Sequence, residues 1–465
     1  MNANLGARFL QCYNYSKMDH YADIDMTTKI TVLKEIISMS AELISKNGNE
    51  VTVQFTFKLT GAMLNDEQAL QQSLNEAGQV AMTPMLEQFD TNGEPIRING
   101  IKHTVRDYLP QTYETPYGPV KIRRNSYQTS KGGRSHVPLE IDGCMVLNST
   151  PRYAQIVSGK YARFGADAIC EDLLECNGRK LSRNYAKKLS DFVGSIAQCY
   201  ESEWEYDLPE FDEPVHSISL GLDGTCMLMH KDGWREAMCG SIAFYDKQGE
   251  RLHTVYCSAT PEYGKEKFKA KFSREIERVK EKFPDVFYMG LADGAKDNWT
   301  FLEKYTKRLL LDFYHAREYI SKAASAIFGR DKINKKNWED KFSHDLKNKQ
   351  GSASRFLKEL EMQRANLDKR NFIERDEDIR QVITYYKNHK DKMSYSNYLK
   401  NNLPIGSGVT EAACKVLIKQ RMCISGSRWK DDGASCVLAL RSLKLTKGRW
   451  QQFWAYAMRH GCTLN

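Results

Sequence analysis

Between residues 215 and 311 the chain changes element type in an order that few folds accommodate. Val215–Leu222, Arg235–Tyr245 and Arg251–Ser258 are rich in strand formers, and the turn residues Lys231–Gly233 and Asp246–Gly249 separate them. Tyr263–Phe283 then spaces its apolar residues as an amphipathic helix does, and Val286–Leu291 and Arg308–Leu311 are short apolar runs. Three strands, a helix, a strand, a helix and a strand predict an α/β domain with the element order of an RNase H-like core.

Acidic residues stand where these runs end. Asp223, in Ser219-Leu-Gly-Leu-Asp-Gly-Thr225, is read as lying where an apolar strand meets a turn, and Asp293, in Tyr288-Met-Gly-Leu-Ala-Asp-Gly294, repeats the pattern. A glycine follows each and lets a phosphate backbone come close. Glu411, in Pro404-Ile-Gly-Ser-Gly-Val-Thr-Glu-Ala412, falls near a helix start. One at a time these are ordinary: an aspartate caps a turn, and a glutamate in a first helical turn complements the helix dipole. Gathered together, three carboxylates can hold two magnesium ions, which prefer oxygen ligands and serve in-line displacement at phosphorus. Between the second and third acids, Asp312 and His315 form an Asp-x-x-His pattern after a buried strand. His315 suits either contact with a phosphate and orientation of a carboxylate, or a structural place at a helix start. Trp299 suits the core or a base-stacking role.

Charge is unevenly placed. Residues 1–302 hold 35 Lys and Arg against 41 Asp and Glu, a net of −6, whereas residues 303–465 hold 33 against 18, a net of +15. A basic C-terminal third points to a polyanion partner. Lys419-Gln-Arg-Met-Cys-Ile-Ser-Gly-Ser-Arg-Trp-Lys430 concentrates that charge just after Glu411, so Lys419, Arg421, Arg428 and Lys430 are candidate phosphate contacts. A second candidate lies upstream. Ala166–Leu174, Glu175–Leu181 and Ser182–Val193 read as helix, turn, helix, with Gly178 in the turn and Ser182 as N-cap. Arg179, Lys180, Arg183, Lys187 and Lys188 decorate the second helix, as in a DNA-reading helix or in an ordinary helical hairpin.

The 465 residues suggest two to four domains. Thr28–Lys46 and Asp66–Asp90 look helical, Gln54–Leu59 looks like a strand, and Thr112–Asn125 suggests a turn and a basic strand, followed by a flexible positive loop at Thr129–Ser135. Glu203–Pro214 is acidic, contains two prolines and suits a linker, while residues 316–400 are charged and helical in pattern. The twelve cysteines form no Cys-x-x-Cys pair and are read as small apolar residues of a cytosolic protein. No signal pattern and no run of roughly 20 apolar residues is visible.

Six stretches together resemble the transposases of the ISKra-four insertion-sequence family: Tyr117–Arg124, Leu220–Thr225, Leu291–Trp299, Leu311–His315, Pro404–Glu411 and Arg421–Trp429. The resemblance spans about Pro138 to Cys462. It implies a DDE enzyme with an RNase H-like catalytic core, an all-α insertion and a mainly helical N-terminal DNA-binding region. Asp223, Asp293 and Glu411 would then be the ligands of two magnesium ions, replaceable by manganese, and His315 the histidine that follows the second acid. It implies double-stranded DNA as partner, both terminal inverted repeats and target, a homodimer or larger assembly on it, and a bacterial, cytoplasmic, nucleoid-associated location. Many relatives carry a cysteine pair after the strand matching Val120–Tyr127. Gln128–His136 has none, so no zinc is expected there. The expected division is residues 1–110, 111–202, 215–315 (core), 316–402 (insertion) and 403–465 (core and basic helices). A domesticated DNA-binding protein and another RNase H-like nuclease remain as alternatives.

Overall fold

A computed structural model describes residues 40–366 and 373–462, and it is a mixed α/β structure. The chain opens with the antiparallel hairpin β1 (Ser40–Asn47) and β2 (Glu50–Thr56), against which α1 (Met63–Glu87) rests. The expected helix at Thr28–Lys46 lies outside the described residues up to position 39. From Ser40 onward it is a strand, because a short apolar run satisfies either period. An antiparallel sheet follows in the order β3 (Ile96–Ile98), β4 (Ile101–Glu114), β5 (Pro119–Thr129), β6 (Gly132–His136). β4 runs through residue 110, so the division expected there falls inside a hairpin. The expected loop Thr129–Ser135 is a tight turn into β6, with Gly132 and Gly133 both at positive φ.

Helices α2 (Pro138–Asp142), α3 (Pro151–Tyr161), α4 (Ala166–Asn177) and α5 (Arg183–Glu203) come next. Gly178 ends α4 in the left-handed region at φ 62°, and the Ser182 hydroxyl accepts from the Tyr185 N–H at 3.2 Å to cap α5. Apolar residues of α3 to α5 share one core with the C-terminal helices and the outer halves of two strands, so this segment is part of the body rather than an appended arm.

The central sheet has five strands in the order β11-β10-β7-β8-β9: β7 (Ser217–Met229), β8 (Gly233–Tyr245), β9 (Arg251–Ala259), β10 (Phe287–Ala292) and β11 (Leu309–Leu311). The first three form an antiparallel meander; β10 and β11 join in parallel, as strands reached through helices do. α6 (Glu266–Lys282) covers one face with Phe268, Phe272, Ile276 and Val279, all buried at helical spacing, and α7 (Lys296–Leu302) links β10 to β11. Residues 313–400 are helical where described: α8 (Phe313–Phe328), α9 (Lys332–Asn348), α10 (Ser352–Asn366), α11 (Ile373–His389) and α12 (Tyr395–Lys400). The chain returns to the sheet in α13 (Gly408–Ala413), which continues without a break through a π-helical stretch, Cys414–Lys419, into α14 (Gln420–Met422). α15 (Asp431–Leu445) and α16 (Arg449–His460) close the fold. No helix among the described residues is long and apolar enough to cross a membrane.

A candidate metal centre at the strand ends

Register places the acids. β7 does not stop at Leu222 as expected; it continues to Met229, because β8 pairs with it along its whole length. Asp223 is therefore inside a strand rather than at a turn. On the other side, β10 pairs with β7 only as far as Leu291 opposite Gly221. Two residues on, Asp223 and Asp293 stand level. Leu311 pairs with Ala292, so one residue on, Asp312 stands level with Asp293. Three aspartates thus line up across three parallel strands, where β10 and β11 have ended and β7 runs on paired with β8 alone; adjacent backbones in a sheet lie about 4.8 Å apart.

Glu411 reaches this row through α13. The helix packs over β7 and β8. A Cβ on Gly221 would lie 2.0 Å from the Thr410 hydroxyl oxygen, so only glycine allows the approach, and that hydroxyl meets Ser241 Oγ at 2.8 Å. Alternate strand residues share a face, so Asp223 faces the same helix as Gly221. The Cys414 thiol donates to Asp223 Oδ2 at 3.5 Å. Asp312 fastens the approach from the far side: its Oδ1 accepts the His315 N–H at 2.8 Å, capping α8, and its Oδ2 accepts the Ser407 N–H. Ser407 Oγ in turn donates to Glu411 Oε1 at 3.0 Å.

One ligand atom from each of Asp312, His315 and Glu411 lies within 4.8 Å of the other two, so the three could hold a metal ion. Asp312 is fully buried, His315 half-buried and Glu411 exposed, which leaves the cluster open on one side. The grouping departs from the expected trio. Glu411 groups with Asp312 and His315, while Asp223 and Asp293 form the adjoining edge. Burial pushes the Asp223 carboxyl above its ordinary range; the Gly224 N–H opposes this, the Asp293 carboxylate adds to it, and the His315 charge is also felt there. Asp293 Oδ1 accepts from the Ala295 N–H at 3.1 Å and from Asn298 Nδ2 at 3.2 Å. Tyr385 from the helical segment donates to the Asp293 carbonyl at 3.1 Å and stacks on Tyr319, 3.6 Å between ring centres. Sequence reasoning misses Asn298 and Tyr385 altogether, and it names Asp312 in the Asp-x-x-His pattern without giving it a ligand role. Asp312 had a sequence signal, its position one residue past an apolar run; the other two had none. Tyr314, 59% exposed, lies against Gly406 beside Asp312 and presents an aromatic face to solvent next to the cluster.

Three of the expected DNA contacts are corrected. Arg179 is buried, with Nη2 donating to Glu114 Oε2 at 2.7 Å and its guanidinium over the Tyr153 ring, so it ties β4 to the helices. Trp299 is 5% exposed and belongs to the core of the sheet, with Lys392 over its ring. Arg421 is only 3% exposed, with Nε donating to the Tyr161 carbonyl at 3.1 Å, so it is not a surface side chain. Lys180, Arg183, Lys187, Lys188, Lys419, Arg428 and Lys430 are exposed. Arg183 pairs with Asp167 at 2.7 Å, and Lys187 pairs with Asp191. No protein-family model and no curated protein matches the chain.

Proposed function

We propose that the chain is a DDE-type DNA transposase, cutting and joining DNA at the inverted-repeat ends of an insertion sequence. The observation that carries the reading is the row Asp223, Asp293 and Asp312 across three parallel strands, with Glu411 delivered over it by α13. The order and directions of the five strands, followed by a helical segment before Glu411, support reading the domain as an RNase H-like core with an all-α insertion.

The donor set suits a hard divalent cation. Four carboxylates offer oxygen, and among the described residues none is paired with a lysine or arginine. Asp223, Asp293 and Glu411 would hold two magnesium ions, or manganese in their place, with Asp312 completing the oxygen side. Bound there, the ions supply the positive charge that stabilises an in-line displacement at phosphorus. His315 is a softer donor than magnesium prefers, so its role is to orient Glu411 and to meet the scissile phosphate. Asn298 and the Ala295 N–H fix one oxygen of Asp293 and leave the other directed by the same constraint. Two DNA ends must be brought together, which calls for a homodimer or larger assembly on double-stranded DNA.

The test is cleavage and strand transfer on labelled duplex carrying the terminal repeat of the insertion sequence that encodes the chain. Wild type is compared with Asp223→Ala, Asp293→Ala and Glu411→Ala, in magnesium and in chelator. Metal-dependent 3′-hydroxyl ends and joined products, lost in each variant, support the reading. Tight binding without cutting in any metal replaces it with a DNA-binding protein, and cutting without joining replaces it with another nuclease.

A further inference from the structure

The two basic segments that lie far apart in the sequence meet in one groove. Arg183 and Lys187 of α5 form one wall; Arg428 and Lys430, from the loop between α14 and α15, form the other, and Arg421 lines the space between them, about 730 Å³. The loop is fixed to the far end of β7: the Trp429 N–H donates to Leu228 at 3.1 Å, and the His230 N–H donates to Trp429 at 2.7 Å. Arg421 is the unusual member. Its guanidinium carbon lies 4.9 Å from the Tyr161 ring centre and 5.0 Å from that of Trp429. Among the described residues no carboxylate pairs with it. Arg441, buried behind it, spends its nitrogens on the carbonyls of Leu417, Ala162 and Val416, and likewise has no acid. A buried cation without a counter-charge is costly to maintain, and this one borders open space. The Arg183–Asp167 pair at the rim is exposed on both sides, so it is weak and readily exchanged for another anion, whereas Lys187 is held by the half-buried Asp191.

We infer that this groove holds the sugar-phosphate backbone of duplex DNA through the exposed cations of its walls, with Arg421 buried beneath them as a fixed charge rather than a contact, and that it meets phosphates without reading bases. The guanidinium of Arg421, held by two rings and a carbonyl, cannot extend into a DNA groove, and the loop between the walls contributes Ser425, Gly426 and Ser427 rather than side chains that discriminate bases. Its distance from the acids follows from two independent rulers. Ten residues of helical run from Glu411 to Arg421 span about 15 Å, and six strand residues from Asp223 to Met229 span about 20 Å. At 3.4 Å per base pair, the contacted phosphates lie about five base pairs from the cut. The contact itself rests on the groove's chemistry; only that spacing rests on the nuclease reading.

The experiment is fluorescence anisotropy of labelled duplexes of two unrelated sequences with the full-length protein in chelator, across a salt series. Arg428→Ala/Lys430→Ala is compared with wild type and with the exposed pair Lys332→Ala/Lys336→Ala as control. The groove variant is expected to bind both duplexes more weakly by the same factor, with the log–log salt slope reduced by about 2, at roughly 0.9 per lost contact. An unchanged slope, an equal loss in the control, or a loss confined to one sequence overturns the inference, as does tighter binding of an RNA duplex of the same length. Cleavage in magnesium is scored separately: reduced slope without any wild-type cleavage removes the transposase reading and keeps the groove, and cleavage with an unchanged slope does the reverse.

Discussion

Beneath α16, Arg449 holds Glu275 through bonds of 2.8 and 2.6 Å, and Lys271 holds Glu201 at 2.8 Å. Across β7, β10 and β11, Asp223, Asp293 and Asp312 line up beneath Glu411, and among the described residues no lysine or arginine pairs with any of them. The electrostatic result is opposite. Burial works against the Glu275 carboxylate, yet the Arg449 guanidinium overrides it and holds the group below its ordinary value. Burial and then Asp293 push Asp223 up, only partly offset by the Gly224 N–H. Acids that serve the fold are neutralised from within the chain. Acids left to repel one another form a cluster that could hold a metal ion, and Arg421, buried without a carboxylate partner among the described residues, is the corresponding case of opposite sign.

Substitutions in the two regions should therefore separate cleanly. The largest expected effect is on chemistry: Asp293→Ala reduces metal-dependent cleavage by roughly a thousandfold or more, about 4 kcal/mol of barrier, with little change in thermal stability of the metal-free protein. His315→Ala, which removes an orienting partner, costs about 10- to 100-fold by the same assay. Glu275→Gln should do the converse. It strands the buried Arg449 cation and destabilises the fold by about 3–5 kcal/mol in denaturant titration, while the folded fraction keeps its response to metal. A Glu275→Gln protein as stable as wild type would erase the contrast. The smallest effect is also the most diagnostic. Because the folded state raises the Asp223 pKa, the ionised carboxylate opposes folding at neutral pH, and that opposition is relieved as pH falls through the raised value. Asp223→Asn should then raise the melting temperature of the metal-free protein by about 1–2 °C and, on the proposed two-metal reading, abolish the rise in melting temperature expected when magnesium or manganese is added to wild type. A lower melting temperature would mean that Asp223 is structural.

The strand-and-helix order from 215 to 311 was legible because each element carries its own period. So were Asp223 and Asp293, each following an apolar run. What the sequence lacks is register. Asp312 is one residue past Leu309–Leu311, but its alignment with Asp293 depends on the pairing of Ala292 with Leu311, a contact between separate segments. Thr225–Met229 looked like the far side of a turn because Asp-Gly is a turn signal; thirteen consecutive pairs with β8 outweigh it. Arg179 and Arg421 carry the composition of a DNA contact, yet Glu114 claims the first from 65 residues away and Tyr161 the second from 260 residues away. The groove was illegible for the same reason, since its walls come from opposite halves of the chain.

Thr410 sits in the space that a side chain on Gly221 would fill. The gap between the helix bearing Glu411 and the strand bearing Asp223 is thus set by one missing methyl group. Restoring it as alanine would act as a shim, lifting the helix that carries Glu411 away from the strand that carries Asp223 without removing any charged residue. Spacing and charge at the cluster are consequently separate variables, and a change at a residue with no functional group can alter the first while leaving the second as it is.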